Sequence, residues 1–126
     1  MGNYIKLHIG GKERGLKVGL GFLQQYTEQE KVTLNELIDK FTSDAFFTIP
    51  KMLFHSLSFN DKLAGNPIDY TLDNVFDWVD EIGLQSEQIA LYCTTFAESI
   101  KVHLPKAESD EASEGKKAPQ KKGAKN

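Results

Sequence analysis

Polar and apolar positions alternate from the start of the chain, where Tyr4, Lys6 and His8 interleave with Ile5, Leu7 and Ile9. A repeat of two sends the two sets of side chains to opposite faces, so this segment is predicted as a strand with one face on the core. Gly10-Gly11 follows. Two glycines between extended arms suit a two-residue hairpin turn, which needs positive φ. The return arm, Lys12 to Val18, alternates less cleanly, and the whole is predicted as a β-hairpin over about 4–18. The apolar spacing then lengthens to that of a helix, and Phe22, Leu23 and Tyr26 mark a short one over about 20–29.

The second helix carries a strong start signal. Thr33 can cap, Glu36 stands three residues later, and Val32 and Leu37 sit at the staple positions on either side. Leu34, Leu37, Ile38 and Phe41 then share one face, predicting a helix over about 33–42. Pro50 is tolerated in a first turn and costly further in, which predicts a third helix over about 48–62, stopped by Ala64-Gly65-Asn66-Pro67. The fourth, over about 71–82, has Thr71 as cap, Gly83 as stop, and the stripe Leu72, Val75, Phe76, Val79 and Ile82. The fifth, over about 86–104, carries Ile89, Tyr92, Cys93, Phe96, Ile100 and Leu104 and ends at Pro105. The expected fold is α+β and predominantly α: an N-terminal β-hairpin followed by about five helices in one domain over 1–104.

Composition changes after Leu104. Residues 105–126 hold no aromatic and no aliphatic side chain larger than Ala, so they have too little apolar surface to offset the entropy of ordering. They are expected to be a disordered, Lys-rich C-terminal tail. Charge divides at the same place. Residues 1–104 hold nine basic against fourteen acidic groups, net −5, and the tail holds six against four, net +2. That balance argues against a strongly basic nucleic-acid binder, although Lys116-Lys117 and Lys121-Lys122 leave weak, salt-sensitive contact with phosphates as an alternative. No apolar run approaches the ~20 residues of a membrane span, and MGNYIKLHIGGKERG lacks the apolar core of a secretory leader, so none is expected.

Candidate chemistry is sparse. His8, His55 and His103 lack ligand spacing, and each is expected at the surface. Cys93, the only cysteine, falls in an apolar stripe and reads as an inert thiol. Asp73, Asp77, Asp80 and Glu81 form the solvent face of an amphipathic helix. The glycines form no phosphate loop. The expectation is a non-enzyme with no catalytic residue, no metal site and no cofactor. The larger signal is apolar groups off the main stripes: Phe46, Phe47, Phe54, Trp78, Leu91 and Val102. They are expected to form a second surface, for self-association or for gripping an apolar helix of a partner.

The segment IKLHIGGKERGLKVGLGFLQQYTE resembles the opening of the tail tube assembly chaperones of long-tailed bacteriophages, and TLNELIDKF, IPKMLFHSL and YTLDNVFDWVDEIG resemble that family's following helices. The resemblance spans about residues 4–104 and departs from the family around Phe46 to Pro50. It implies a non-enzymatic factor of virion morphogenesis, acting in the host cytoplasm. Such a factor coats the apolar, helical tape-measure protein and is not retained in the mature virion. It also implies a longer product, made by ribosomal frameshifting near the lysine pairs, that recruits the tail tube protein. A generic intracellular adaptor for an apolar helix of another partner remains the competing reading.

Overall fold

The structure, a computed structural model, describes residues 2–104; the predicted disordered tail lies outside the described residues. Strands β1 (Tyr4–Ile9) and β2 (Lys12–Lys17) pair antiparallel, with Tyr4 opposite Lys17 and Ile9 opposite Lys12. Gly10 and Gly11 carry the turn at φ of +65° and +85°, the pair of positive angles that matches the twist of a two-residue hairpin. The alternation holds: Leu7, Ile9 and Leu16 are buried while Lys6 and His8 face water. Two strands alone are marginal in water, so the hairpin needs helices behind it. It finds α3 and α5.

Five helices follow, and the fold is α+β and mostly helical: α1 (Leu20–Glu30), α2 (Leu34–Ser43), α3 (Ala45–Ala64), α4 (Leu72–Ile82) and α5 (Glu87–Lys101). Helix α3 is the central element and meets β2, α1, α2 and α4. Its sequence explains this position. Between Thr48 and Ser58 only Lys51 and His55 can carry charge, and nearly the whole circumference is buried. Each Leu or Ile fully removed from water there contributes about 1.5–3 kcal/mol. Helix α1 reaches α3 because Gly21 has no side chain: a Cβ at that position would stand 2.2 Å from the Phe59 ring. The last helix closes on the first strands through Ser99, whose hydroxyl donates to the Val18 carbonyl at 2.8 Å.

The helix starts follow their caps. Thr33 Oγ1 accepts from the Glu36 backbone at 3.1 Å and the Glu36 carboxylate accepts from the Thr33 backbone at 2.8 Å. Thr71 and Asn74 make the same reciprocal pair in front of α4. Gly65 and Gly83, both at positive φ, stop α3 and α4.

Two boundaries differ from expectation. Helix α3 begins at Ala45, not Thr48, so Pro50 lies inside it. Asp44 donates its N–H to the Lys40 carbonyl at 2.8 Å and accepts the Thr48 N–H on its own carbonyl at 3.0 Å, so one residue ends α2 and starts α3. Burial of Ile49, Pro50, Met52 and Leu53 offsets the backbone bond that the proline forgoes. Helix α5 ends at Lys101, not Leu104: His103 and Leu104 donate to carbonyls three residues back, which tightens the chain into turns ahead of Pro105. Leu104 therefore leaves the core stripe and is exposed.

Candidate functional site

The six off-stripe residues part into two groups. Phe54 and Trp78 pack half-buried against the core. The Trp78 indole lies under the Arg14 guanidinium, 4.3 Å from its ring centre, and 5.6 Å from the Tyr70 ring. Arg14 also donates to the carbonyls of Ile9 and Gly10 at 2.8 and 2.9 Å, so one cation fastens the hairpin turn to α4. Gly10 is required here twice over, by its positive φ and because a Cβ would sit 2.6 Å from the indole. Tyr70 donates to Asp61 Oδ2 at 2.5 Å, and Phe54 meets the Tyr70 ring edge-on. Burial first, and then this bond to Asp61, push the Tyr70 phenol far above its ordinary pKa. Phe54 and Trp78 thus lie off their own helical stripes because a second element covers each flank.

The other four remain in water. Phe46 and Phe47 are 71% and 60% exposed on the first turn of α3, Leu91 is 51% exposed on α5, and Val102 is 77% exposed just past its end. Leu63 at 59% and Ile68 at 46% are exposed as well, and so are two leucines at helix starts: Leu20 at 61%, which the sequence pattern places on no stripe, and Leu34 at 40%, which it places on the main stripe of α2. Each opens its helix, directly after Gly19 and Thr33. A side chain at a first helical position leans back over the preceding loop, so it misses the core that its later turns reach. That was the signal in the sequence. Leu20 separates two surface grooves. One, of about 480 Å³, is lined by Leu23, Thr27, Val32 and Leu34; the other, of about 390 Å³, by Gly21, Glu98, Ser99 and Val102.

The buried polar groups are bonded to one another. His55, expected at the surface, is 2% exposed, because both flanks of α3 are covered. Its Nδ1 accepts from Gln25 Nε2 at 3.0 Å and its Nε2 donates to Glu30 Oε2 at 2.9 Å. The same Gln25 amide donates to Ser58 Oγ, and Lys51 stands 3.7 Å from Glu30. This seam clamps α1 to α3. Deeper in the core, Ser56 and Tyr92 share a hydroxyl hydrogen bond of 2.7 Å. A polar cleft of about 280 Å³ is lined by Arg14 and Asp61, which are already bonded to Ile9, Gly10, Tyr70 and Asn66, and by Lys12, Glu13 and Asp69. Burial raises the Cys93 thiol above its usual pKa, which withholds the reactive thiolate. Among the described residues, no cluster of three or more His, Cys, Asp or Glu is placed to hold a metal ion, and no helix is long and apolar enough to cross a membrane.

Comparison with family models, with curated proteins and with solved structures finds no match to this chain.

Proposed function

We propose that this protein is a non-enzymatic tail assembly chaperone of a long-tailed bacteriophage. It coats the apolar helices of the tape-measure protein in the host cytoplasm until tail tube subunits polymerise, and it leaves before the virion matures. The observation that carries this reading is the set of apolar side chains left in water by an otherwise closed, acidic helical body: Phe46, Phe47, Leu20, Leu91 and Val102. Leu20 and Val102 line one groove, and an apolar patch left in water on a small domain marks a surface that another chain covers. A net charge of −5 over residues 1–104 keeps such bodies dispersed while they mask a greasy chain. A longer frameshifted form carries the contact with the tail tube protein.

Co-expression tests the proposal. A tape-measure protein produced with this chain is expected in the supernatant and to co-purify with it, and produced alone is expected in the pellet. Equal solubility with and without the chain, and no co-purification, rejects it.

A further inference from the structure

Charge is shared unevenly along the body. The hairpin, residues 4–18, holds four basic groups against one acidic, Glu13, whereas residues 19–104 hold five against thirteen, net −8. Arg14 is turned inward, onto the Trp78 ring and the carbonyls of Ile9 and Gly10. Lys6 and Lys17 stand on the outer face with Tyr4 and His8, since Leu7, Ile9 and Leu16 take the core side and alternate residues of a strand share a face. Lys12 is exposed beside the turn. Among the described residues the ion pairs join Lys51 and His55 to Glu30 and Lys101 to Glu98, and none reaches the hairpin. The end of α5 lies beside the start of β1: Ser99 bonds the Val18 carbonyl, and Val102 and His103 line a groove with Gly2 and Asn3. Beyond that end the sequence is blocked by charge. Residues 107–115 hold Glu108, Asp110, Glu111 and Glu114 and no cation, and residues 116–126 hold five lysines and no acid.

We infer that the acidic block 108–114 docks on the basic outer face of its own hairpin. Sign selects the place. Four carboxylates are repelled by the remaining body, net −8, and drawn to the one district where cations outnumber acids. Reach allows it. Glu108 and Glu114 follow Leu104 by four and ten residues, at most about 14 and 36 Å of extended chain, and the six residues of β1 run about 20 Å. Proximity selects the copy. An exposed ion pair contributes little by itself, but a short tether holds the block near the hairpin at about millimolar effective concentration, which the tail of a second copy meets only when the protein is that concentrated. The docked block occupies Lys6, Lys12 and Lys17, so any other anionic chain has to displace it. This role is independent of the tape-measure reading.

Paramagnetic relaxation in the full chain tests this. Cys93→Ser removes the native thiol, which is only half-buried, and Ser109→Cys carries a nitroxide label within the acidic block. In nitrogen-15-labelled protein at about 0.01 M salt, the amide signals of Tyr4–Lys17 are expected to be lost, while those of α2, which packs on α1 and α3, persist. They should return at about 1 M salt, where the Debye length has fallen from about 30 to about 3 Å. Lys6→Gln, Lys12→Gln and Lys17→Gln together should also restore them, with an unchanged circular dichroism spectrum. Should that variant fail to fold, neutralising the block instead, by Glu108→Gln, Asp110→Asn, Glu111→Gln and Glu114→Gln, leaves the body untouched and should restore the same signals. Signals of Tyr4–Lys17 that survive at low salt overturn the inference, since the block then pairs with the tail's own lysines or with nothing. So does a loss spread evenly over the body, or one that persists at about 1 M salt. Equal loss in a mixture of nitroxide-bearing chains with separate nitrogen-15-labelled chains overturns it as well, because the docking would then run between copies.

Discussion

The hairpin–α4 side of the molecule covers large apolar groups that lie off the main helical stripes, and the α1–α2 side leaves in water two leucines that open their helices, Leu34 among them on the main stripe of α2. On the first side Trp78 and Phe54 meet partners across a seam: Arg14 bridges turn and indole, Tyr70 fills the space between, and the Asp61 carboxylate accepts the phenol's hydrogen bond. On the second side Leu20 and Leu34 sit at the first positions of their helices and lie over loops, with grooves on their flanks in place of neighbours. The lesson is that distance from a helix's main stripe does not decide exposure. What decides it is whether another element crosses that flank and brings a group of matching shape and polarity.

The contrast can be broken most completely by alkali. Burial, together with Asp61, raises the pKa of Tyr70 above its ordinary 10.0, and burial with the Glu30 and Asp44 charges raises that of Tyr26 to about 12. A group whose pKa is higher in the folded state contributes stability that is complete below its unfolded pKa and lost as pH climbs through the folded one. Stability is therefore expected to be flat up to about pH 10 and to fall above it. Phenolate absorbance of Tyr26, Tyr70 and the buried Tyr92 should rise together with loss of helical signal; smooth titration of all tyrosines in a still-folded chain would contradict this.

Trp78→Ala should cost about 2–3 kcal/mol, read as a lower urea midpoint, because it empties the seam and leaves Arg14 without its ring. Tyr70→Phe keeps the ring and removes one hydrogen bond to a carboxylate, so about 1 kcal/mol is expected by the same measurement. Leu20→Ser, on the open side, should change stability by no more than about 0.5 kcal/mol. A loss for Leu20→Ser as large as that for Trp78→Ala would mean that the two sides are packed alike.

Much of the fold was legible in the chain because its signals are local. Alternation over Tyr4–Ile9 and the Gly10-Gly11 pair specify the hairpin, and Thr33 with Glu36 specifies the start of α2. Pro50 misled the reading of α3, since its cost is local and the burial that outweighs it is tertiary. His55 misled for the same reason: helical spacing placed it off the main face, and only the arrival of α1, with Gln25 and Glu30, buries it. The off-stripe set was legible as a list of residues but not as a surface. Nothing local distinguishes Trp78, which α4 turns toward Arg14, from Val102, which no other described residue covers.

The bond from Ser99 to the Val18 carbonyl joins residues 81 positions apart, and α5 rests on β1 as well. A chain made from its N-terminus therefore builds the hairpin and four helices before the piece that seals them exists. During synthesis Phe22 waits for Phe96, its ring partner on α5, and until that long-range closure the nascent molecule is expected to stay open to aggregation and proteases.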